Sequence, residues 1–266
     1  MTATCRLWMV IVLGQVSAGT PVGPPDDAQP REDRSKAIRA AVDEYELYLG
    51  NDERTKLVRS PQPVQTFEDP VTLSQHGSVY LWADQHRPLA IGSFYFQADG
   101  ARVDEFQSLA TGGELTAEFA GAVVWRPQTP GIKIQPLDDK DEVPATKELR
   151  LRTMRDIARR FTASVTDRRA GRLELRLLPQ PLHRYQDANS GLVDGAIFSF
   201  AKGTNPEVLL LLEAHSQNGS DRWHFALARM SARGCTVNYK DREIWALSSV
   251  GFKQDADQPY FNRYTR

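Results

Sequence analysis

The chain has 266 residues, with 33 basic side chains against 34 acidic ones and a net charge of −1. That balance gives no electrostatic argument for nucleic acid or an anionic membrane as a partner. A chain of this length with 41% hydrophobic residues can bury a sizeable core, as one large domain or two small ones.

Residues 1–18 have the pattern of a signal peptide. Arg6 supplies a positive n-region, Leu7 to Leu13 an unbroken apolar stretch, and Val16-Ser17-Ala18 a small-residue cleavage site. An apolar run of about seven residues is too short to span a bilayer, and no other stretch approaches transmembrane length. The expectation is an exported protein, periplasmic or extracellular, with no transmembrane segment. Removal of the signal would take Cys5 with it and leave Cys235 as the last thiol, in the role of a small buried hydrophobe.

Residues 19–33 are rich in Pro, Gly and Asp and read as a flexible leader. A helix follows, with Ser35 as N-cap, apolar Ile38, Ala41, Val42, Tyr45, Tyr48 and Leu49 at three- and four-residue spacing, and Gly50 as C-terminal stop. The segments 77–83 and 88–96 then read as a hairpin, 103–109 and 115–119 as two further strands, and a short last strand carries Trp125. Residues 128–144, rich in Pro and Asp, read as a linker.

The second half begins like the first. A helix is expected over 145–166 on the spacing of Leu151, Met154, Ala158, Phe161 and Val165, with Lys147, Arg150, Arg152, Arg155, Arg159 and Arg160 mostly around its other faces. Leu173, Leu175 and Leu177 mark a strand with one buried side, 195–201 and 206–214 a hairpin, and the stretches 223–230, 235–239 and the segment around Trp245 the remaining strands. The unbroken apolar run Val208 to Leu212 predicts a strand covered on both faces. The tail, 251–266, is polar with scattered aromatics.

Residues 61–96 lie over 179–214 without a gap. Pro61-Gln62-Pro63 falls on Pro179-Gln180-Pro181, Phe67 on Tyr185, Asp69 on Asp187, Gly77 on Gly195 and Pro88 on Pro206; after a two-residue slip Trp125 falls on Trp245. The expected fold is therefore α+β with an internal duplication, each half one helix followed by an antiparallel meander of about five strands, at 34–127 and 145–250.

No phosphate-cradling glycine loop, dinucleotide fingerprint or nucleophile elbow is present. The histidines show no metal-ligand spacing, so neither a metal nor another cofactor is expected. Two groups could supply acid/base chemistry: His215 and His224, flanking a loop with Glu213 and Asp221 beside them, and His183 with Asp187 and Tyr185, where the first half has Gln65 in place of His183. Trp82, Trp125 and Trp245 could stack on a ligand if exposed, and Arg155 and Arg159 on the basic helix could meet an anionic polymer.

The stretches Leu175 to Leu182, Asp194-Gly195-Ala196-Ile197-Phe198, Gly203 to Ala214 and Ala226-Leu227-Ala228-Arg229-Met230 resemble a family of uncharacterised exported proteins of planctomycete-type bacteria. The resemblance implies export and bacterial origin, and no activity. The leading expectation is a non-catalytic exported protein that binds a ligand or a cell-envelope partner, polymer or protein. The alternatives are a hydrolase acting on an extracellular polymer and a structural subunit of a surface assembly.

Overall fold

The computed structural model describes residues 28–50, 54–69, 74–112, 115–167, 170–217, 219–251 and 255–265. The signal-peptide segment and the leader up to residue 27 lie outside them. The first half runs α1 (Ala28–Asp43), β1 (Tyr45–Leu49), β2 (Thr55–Lys56), β3 (Val58–Arg59), β4 (Gln65–Asp69), β5 (Ser74–Ala83), β6 (Pro88–Phe96), β7 (Arg102–Ser108), β8 (Leu115–Phe119) and β9 (Ala122–Trp125). After β10 (Gln135–Pro136) come α2 (Lys147–Ala158), β11 (Phe161–Asp167), β12 (Gly171–Leu177), β13 (His183–Asp187), β14 (Leu192–Lys202), β15 (Asn205–Gln217), β16 (Ser220–Arg229), β17 (Gly234–Tyr239) and β18 (Arg242–Leu247). The last strand is β19 (Tyr260–Thr265). Among the described residues the strands pair antiparallel, and with the two helices α1 and α2 the fold is α+β.

Both helices end earlier than their apolar periodicity predicts, and α1 also begins earlier, so that residues 28–33, expected as part of the flexible leader, are helical. Ser35 lies inside α1, its hydroxyl donating to the Arg31 carbonyl at 3.1 Å instead of capping the helix, and α1 ends at Asp43. Tyr45, which fits helical spacing, also alternates with Leu47, and the two form the buried side of β1. Likewise α2, whose N-cap Thr146 accepts the Leu149 N–H, ends at Ala158, and Phe161, Ala163 and Val165 become the buried side of β11. Short apolar runs satisfy both periods; pairing with β8 and β17 decides in favour of the strand.

The strands do not form simple meanders either. In the first half β4 and β3 both pair with β5, β5 with β6, and β6 with β7, while β1 lies between β2 and β8, with β9 beyond β8. In the second half β13 and β12 pair with β14, β14 with β15, and β15 with β16, while β11 lies between β12 and β17, with β18 beyond β17. The first strand of each half thus pairs with a strand close to that half's end.

Each helix covers one side of its own sheets. Ile38 and Val42 of α1 share a core with Tyr80, Trp82, Phe94, Phe106, Leu115 and Trp125. Met154, Ile157 and Ala158 of α2 share another with Phe198, Phe200, Leu210, Leu212 and Val237. The opposite faces of the two central hairpins meet in a third core, Val79, Leu81 and Ile91 against Ile197, Leu209, Leu211 and Ala226. The run Val208 to Leu212 is thus buried on both faces, its odd and even positions serving different cores.

Two arms cross between the halves. The linker adds β10 to the edge of β16, and Leu137 continues the contact through its N–H on the Trp223 carbonyl at 2.9 Å. The tail returns the other way: the Arg126 and Gln128 amides donate to the carbonyls of Ala256 and Asp257, and β19 pairs with β7 along its whole length.

Candidate binding cleft between the halves

A cleft of about 1000 Å³ opens where the two arms cross. Gln107 of β7 and Pro259 and Tyr260 of the tail form one wall; Ile132, Lys133 and Ile134 of the linker form another. The third belongs to the second half, with Leu227 to Arg229 on β16, Trp245 and Leu247 on β18, and Val250 beyond; Asp255 and Gln258 also line the space. This size lies within the range of small-molecule sites, and a mainly apolar lining with a few fixed polar groups is their usual composition.

Arg229 is 7% exposed. Its Nε donates to the Ser231 carbonyl at 2.7 Å and an Nη to that of Ser248 at 3.3 Å, and the guanidinium lies 5.2 Å from the Tyr260 ring centre. Carbonyl dipoles and a ring face stabilise the cation without neutralising it. Tyr260 in turn donates its hydroxyl to Glu105 at 2.8 Å, and Tyr95 donates to the same oxygen at 3.2 Å. Burial, opposed by these hydroxyls and reinforced by the charge of Glu207, pushes the Glu105 carboxyl up to about 7. Glu207 is itself buried, with Arg233 at 2.6 Å from one oxygen. A polar cluster therefore lies directly behind the cleft wall at Tyr260.

Of the three tryptophans singled out in the sequence, Trp245 alone lines this cleft, half-buried. Trp82 and Trp125 sit in the first-half core at 1% and 0% exposure, and the Trp125 indole N–H donates to the Gln258 carbonyl at 2.7 Å. The basic helix is largely engaged with its own protein. Arg150 pairs with Asp194 at 2.8 Å, Arg155 bonds Gln180, Arg159 pairs with Asp156, and Arg160 pairs with Asp139 and Asp141.

The hairpin of β15 and β16 does bring His215 and His224 together. Their rings meet edge to face at 4.9 Å, and Glu213 is the register partner of His224. His215 Nε2 lies 2.8 Å from one oxygen of buried Glu213; the other accepts the Tyr185 hydroxyl at 2.7 Å. Arg87, from the turn between β5 and β6, lies 2.9 Å from that same oxygen, an ion pair across the halves rather than an aligned hydrogen bond. Burial raises the Glu213 carboxyl, but His215, Arg87 and Tyr185 outweigh it and hold the group below its ordinary range. Burial holds His224 below the usual imidazole value. Asp221 is exposed. With both oxygens of Glu213 engaged, the cluster orients His215 and ties the halves together, and none of its members lines the cleft.

His183 and Asp187 lie at the two ends of β13. The His183 ring stacks on Tyr185 at 6.1 Å, and burial lowers its pKa. Asp187 accepts the Asn189 N–H at 3.0 Å in the following turn, and no hydrogen bond joins it to His183 among the described residues. Nor do the described residues contain a group of three or more His, Cys, Asp or Glu placed to hold a metal. Cys235 is buried, its thiol pushed up to about 12 by that burial, which removes it as a nucleophile near neutral pH.

Arg229, Lys133 and Leu247 escaped the sequence reading because they come from three separated segments, β16, the linker and β18. The apolar Ile132 and Ile134 inside a Pro- and Asp-rich linker were the available signal. No protein-family model matches the chain, and no curated protein or solved structure is significantly similar to it.

Proposed function

We propose that the protein is an exported, non-catalytic binding protein, built of two copies of one helix-and-sheet unit that hold a small ligand between them. The observation that carries the reading is the cleft itself, of ligand size and placed where the crossing arms of the two halves meet. Duplication is supported by more than the aligned residues. Each strand pairing of the first half has its counterpart in the second, in the same order, and the two arms add corresponding edge strands to β16 and β7. The copies differ at the cleft: Trp125 is sealed by the tail, and its counterpart Trp245 faces open space.

Export rests on Arg6, the apolar run Leu7 to Leu13 and the Val16-Ser17-Ala18 site, together with the resemblance to exported planctomycete-type proteins. Amino-terminal sequencing of the protein recovered outside the cytoplasm is expected to begin at Gly19. Recovery of an intact amino terminus in the cytoplasm would overturn export.

Ligand binding is tested by the thermal unfolding midpoint of the full chain against cell-wall fragments, polysaccharides, lipids, nucleotides and divalent metals. A ligand that binds only the folded state raises the midpoint, by about 2.7 kcal/mol of stability at a hundred times its Kd. The expected result is a concentration-dependent rise that is lost in Trp245→Ala and in Leu247→Lys. A panel without response, or a rise that survives both substitutions, would overturn the reading and favour a protein partner or a structural role.

A further inference from the structure

We infer that the cleft takes an anionic amphiphile, a molecule with one carboxylate-like head and an extended apolar body. This rests on the binding reading above and deepens it. Among the described residues two cations line the space, Lys133 and Arg229, against one acid, Asp255. Neither cation has a carboxylate within ion-pair distance among the described residues: Lys133 is exposed, and Arg229 is engaged by backbone carbonyls and the Tyr260 ring. A buried guanidinium without a counter-charge is unfavourable, and a ligand anion at the wall would supply that charge.

The rest of the lining selects the body. Ile132, Ile134, Leu227, Trp245 and Leu247 present aliphatic and aromatic surface, and Leu247 remains 38% exposed, as few large apolar residues of the described chain do. Burying such surface against a hydrocarbon is worth roughly 25 cal/mol per Å², whereas a sugar ring needs a dense set of donors and acceptors to replace its water. Of the uncharged polar side chains on its walls, three are already committed: the Gln107 amide nitrogen donates to the carbonyls of Ser108 and Gly131, the Gln258 amide nitrogen to Asp257, and the Tyr260 hydroxyl to Glu105, which leaves Thr111. Charge and apolar surface together therefore favour an amphiphile over a carbohydrate or a nucleotide.

The test is titration calorimetry of the full chain with dodecanoate, dodecanol and dodecyltrimethylammonium, each below its micelle concentration. Saturable one-to-one binding of dodecanoate is expected, about tenfold tighter than dodecanol, with the cationic amphiphile weaker still. Lys133→Glu, at an exposed side chain, should remove the preference for the acid, and Leu247→Glu should weaken every chain-bearing probe. Lys36→Gln on α1 is the control and should change nothing. Equal binding of acid and alcohol with no effect of Lys133→Glu would overturn the anionic head. Dodecanoate binding unchanged by Leu247→Glu would place it outside the cleft and overturn the inference. If no amphiphile binds and another class from the thermal panel does, with loss in Trp245→Ala, the inference falls and the binding reading stands; if nothing binds, both fall.

Discussion

Trp125 and Trp245 occupy the same rung of two corresponding hairpins, Trp125 opposite Ala117 and Trp245 opposite Val237, yet they meet different surroundings. The tail seals Trp125 through the Gln258 carbonyl, and Trp245 lines the cleft. Trp125→Phe is therefore expected to cost about 2–4 kcal/mol, a cavity plus a lost hydrogen bond. Trp245→Phe should cost less than about 1 kcal/mol and lower the fraction of fluorescence quenched by acrylamide. Denaturant unfolding and quenching of the two variants check this; equal stability losses would show that Trp245 belongs to the core as much as its counterpart.

Glu105 makes stability depend on pH in a definite direction. Its carboxyl titrates at 4.5 when unperturbed and at about 7 when buried in the fold. Between those values the folded chain keeps a proton that the unfolded chain has released, so this group's contribution falls as pH rises from 4.5 through 7 and changes little above. Glu105→Gln, which keeps an acceptor for Tyr260 and Tyr95, should be more stable than the parent at pH 8, by as much as roughly 3 kcal/mol, and equal to it near pH 5. His183 and His224, lowered by burial, oppose the trend below pH 6.5 but are common to both proteins and cancel in the difference. A difference that does not change between pH 8 and pH 5 would sink the assignment.

Much of the fold was legible locally, and the failures share one cause. The hairpins at 77–96 and 195–214 were readable because apolar runs bounded by turn residues specify them within a few positions. Tyr45 and Phe161 were misplaced at helix ends because a few apolar residues satisfy both periods, and the strands that decide the matter lie more than seventy residues away. The tail had no local signature, since Tyr260 to Thr265 become a strand only by pairing with β7. The same holds for function. His215, His224 and Glu213 could be brought together from one hairpin's spacing, whereas the cleft needs the linker, β16 and β18 at once.

Arg87 is the first half's hold on Glu213. Removing it as Arg87→Met leaves a buried carboxylate with Tyr185 and His215 alone, and a loss of about 3 kcal/mol is expected at pH 7. Because its partners hold the Glu213 pKa below the ordinary value, the stability it contributes is present above about 4.5 and is lost as pH falls through the lowered pKa. The deficit of the variant should therefore be largest at neutral pH and narrow toward pH 4. A double-mutant cycle with Glu213→Gln measures the coupling; additivity within about 0.5 kcal/mol would mean that Arg87 acts on stability through something other than this carboxylate.

Gly77 and Gly195 stand directly opposite Phe67 and Tyr185, and each aromatic ring lies across the bare backbone of its glycine. A Cβ added at Gly77 would come within 2.1 Å of the Phe67 ring, and one at Gly195 within 2.6 Å of the Tyr185 ring. Either alanine must push the ring away, at about 1–3 kcal/mol for the overpacking. The two sites then diverge, because Tyr185 carries the hydroxyl that donates to Glu213 and Phe67 carries none. Gly195→Ala is expected to weaken that bond as well and to be the more destabilising of the two, by roughly 1 kcal/mol. Adding Tyr185→Phe separates the contributions: in that background the excess cost of Gly195→Ala should vanish, since only the displaced ring remains. If Gly195→Ala stays the costlier change without the hydroxyl, the excess comes from packing at the junction of the halves and not from the bond to Glu213.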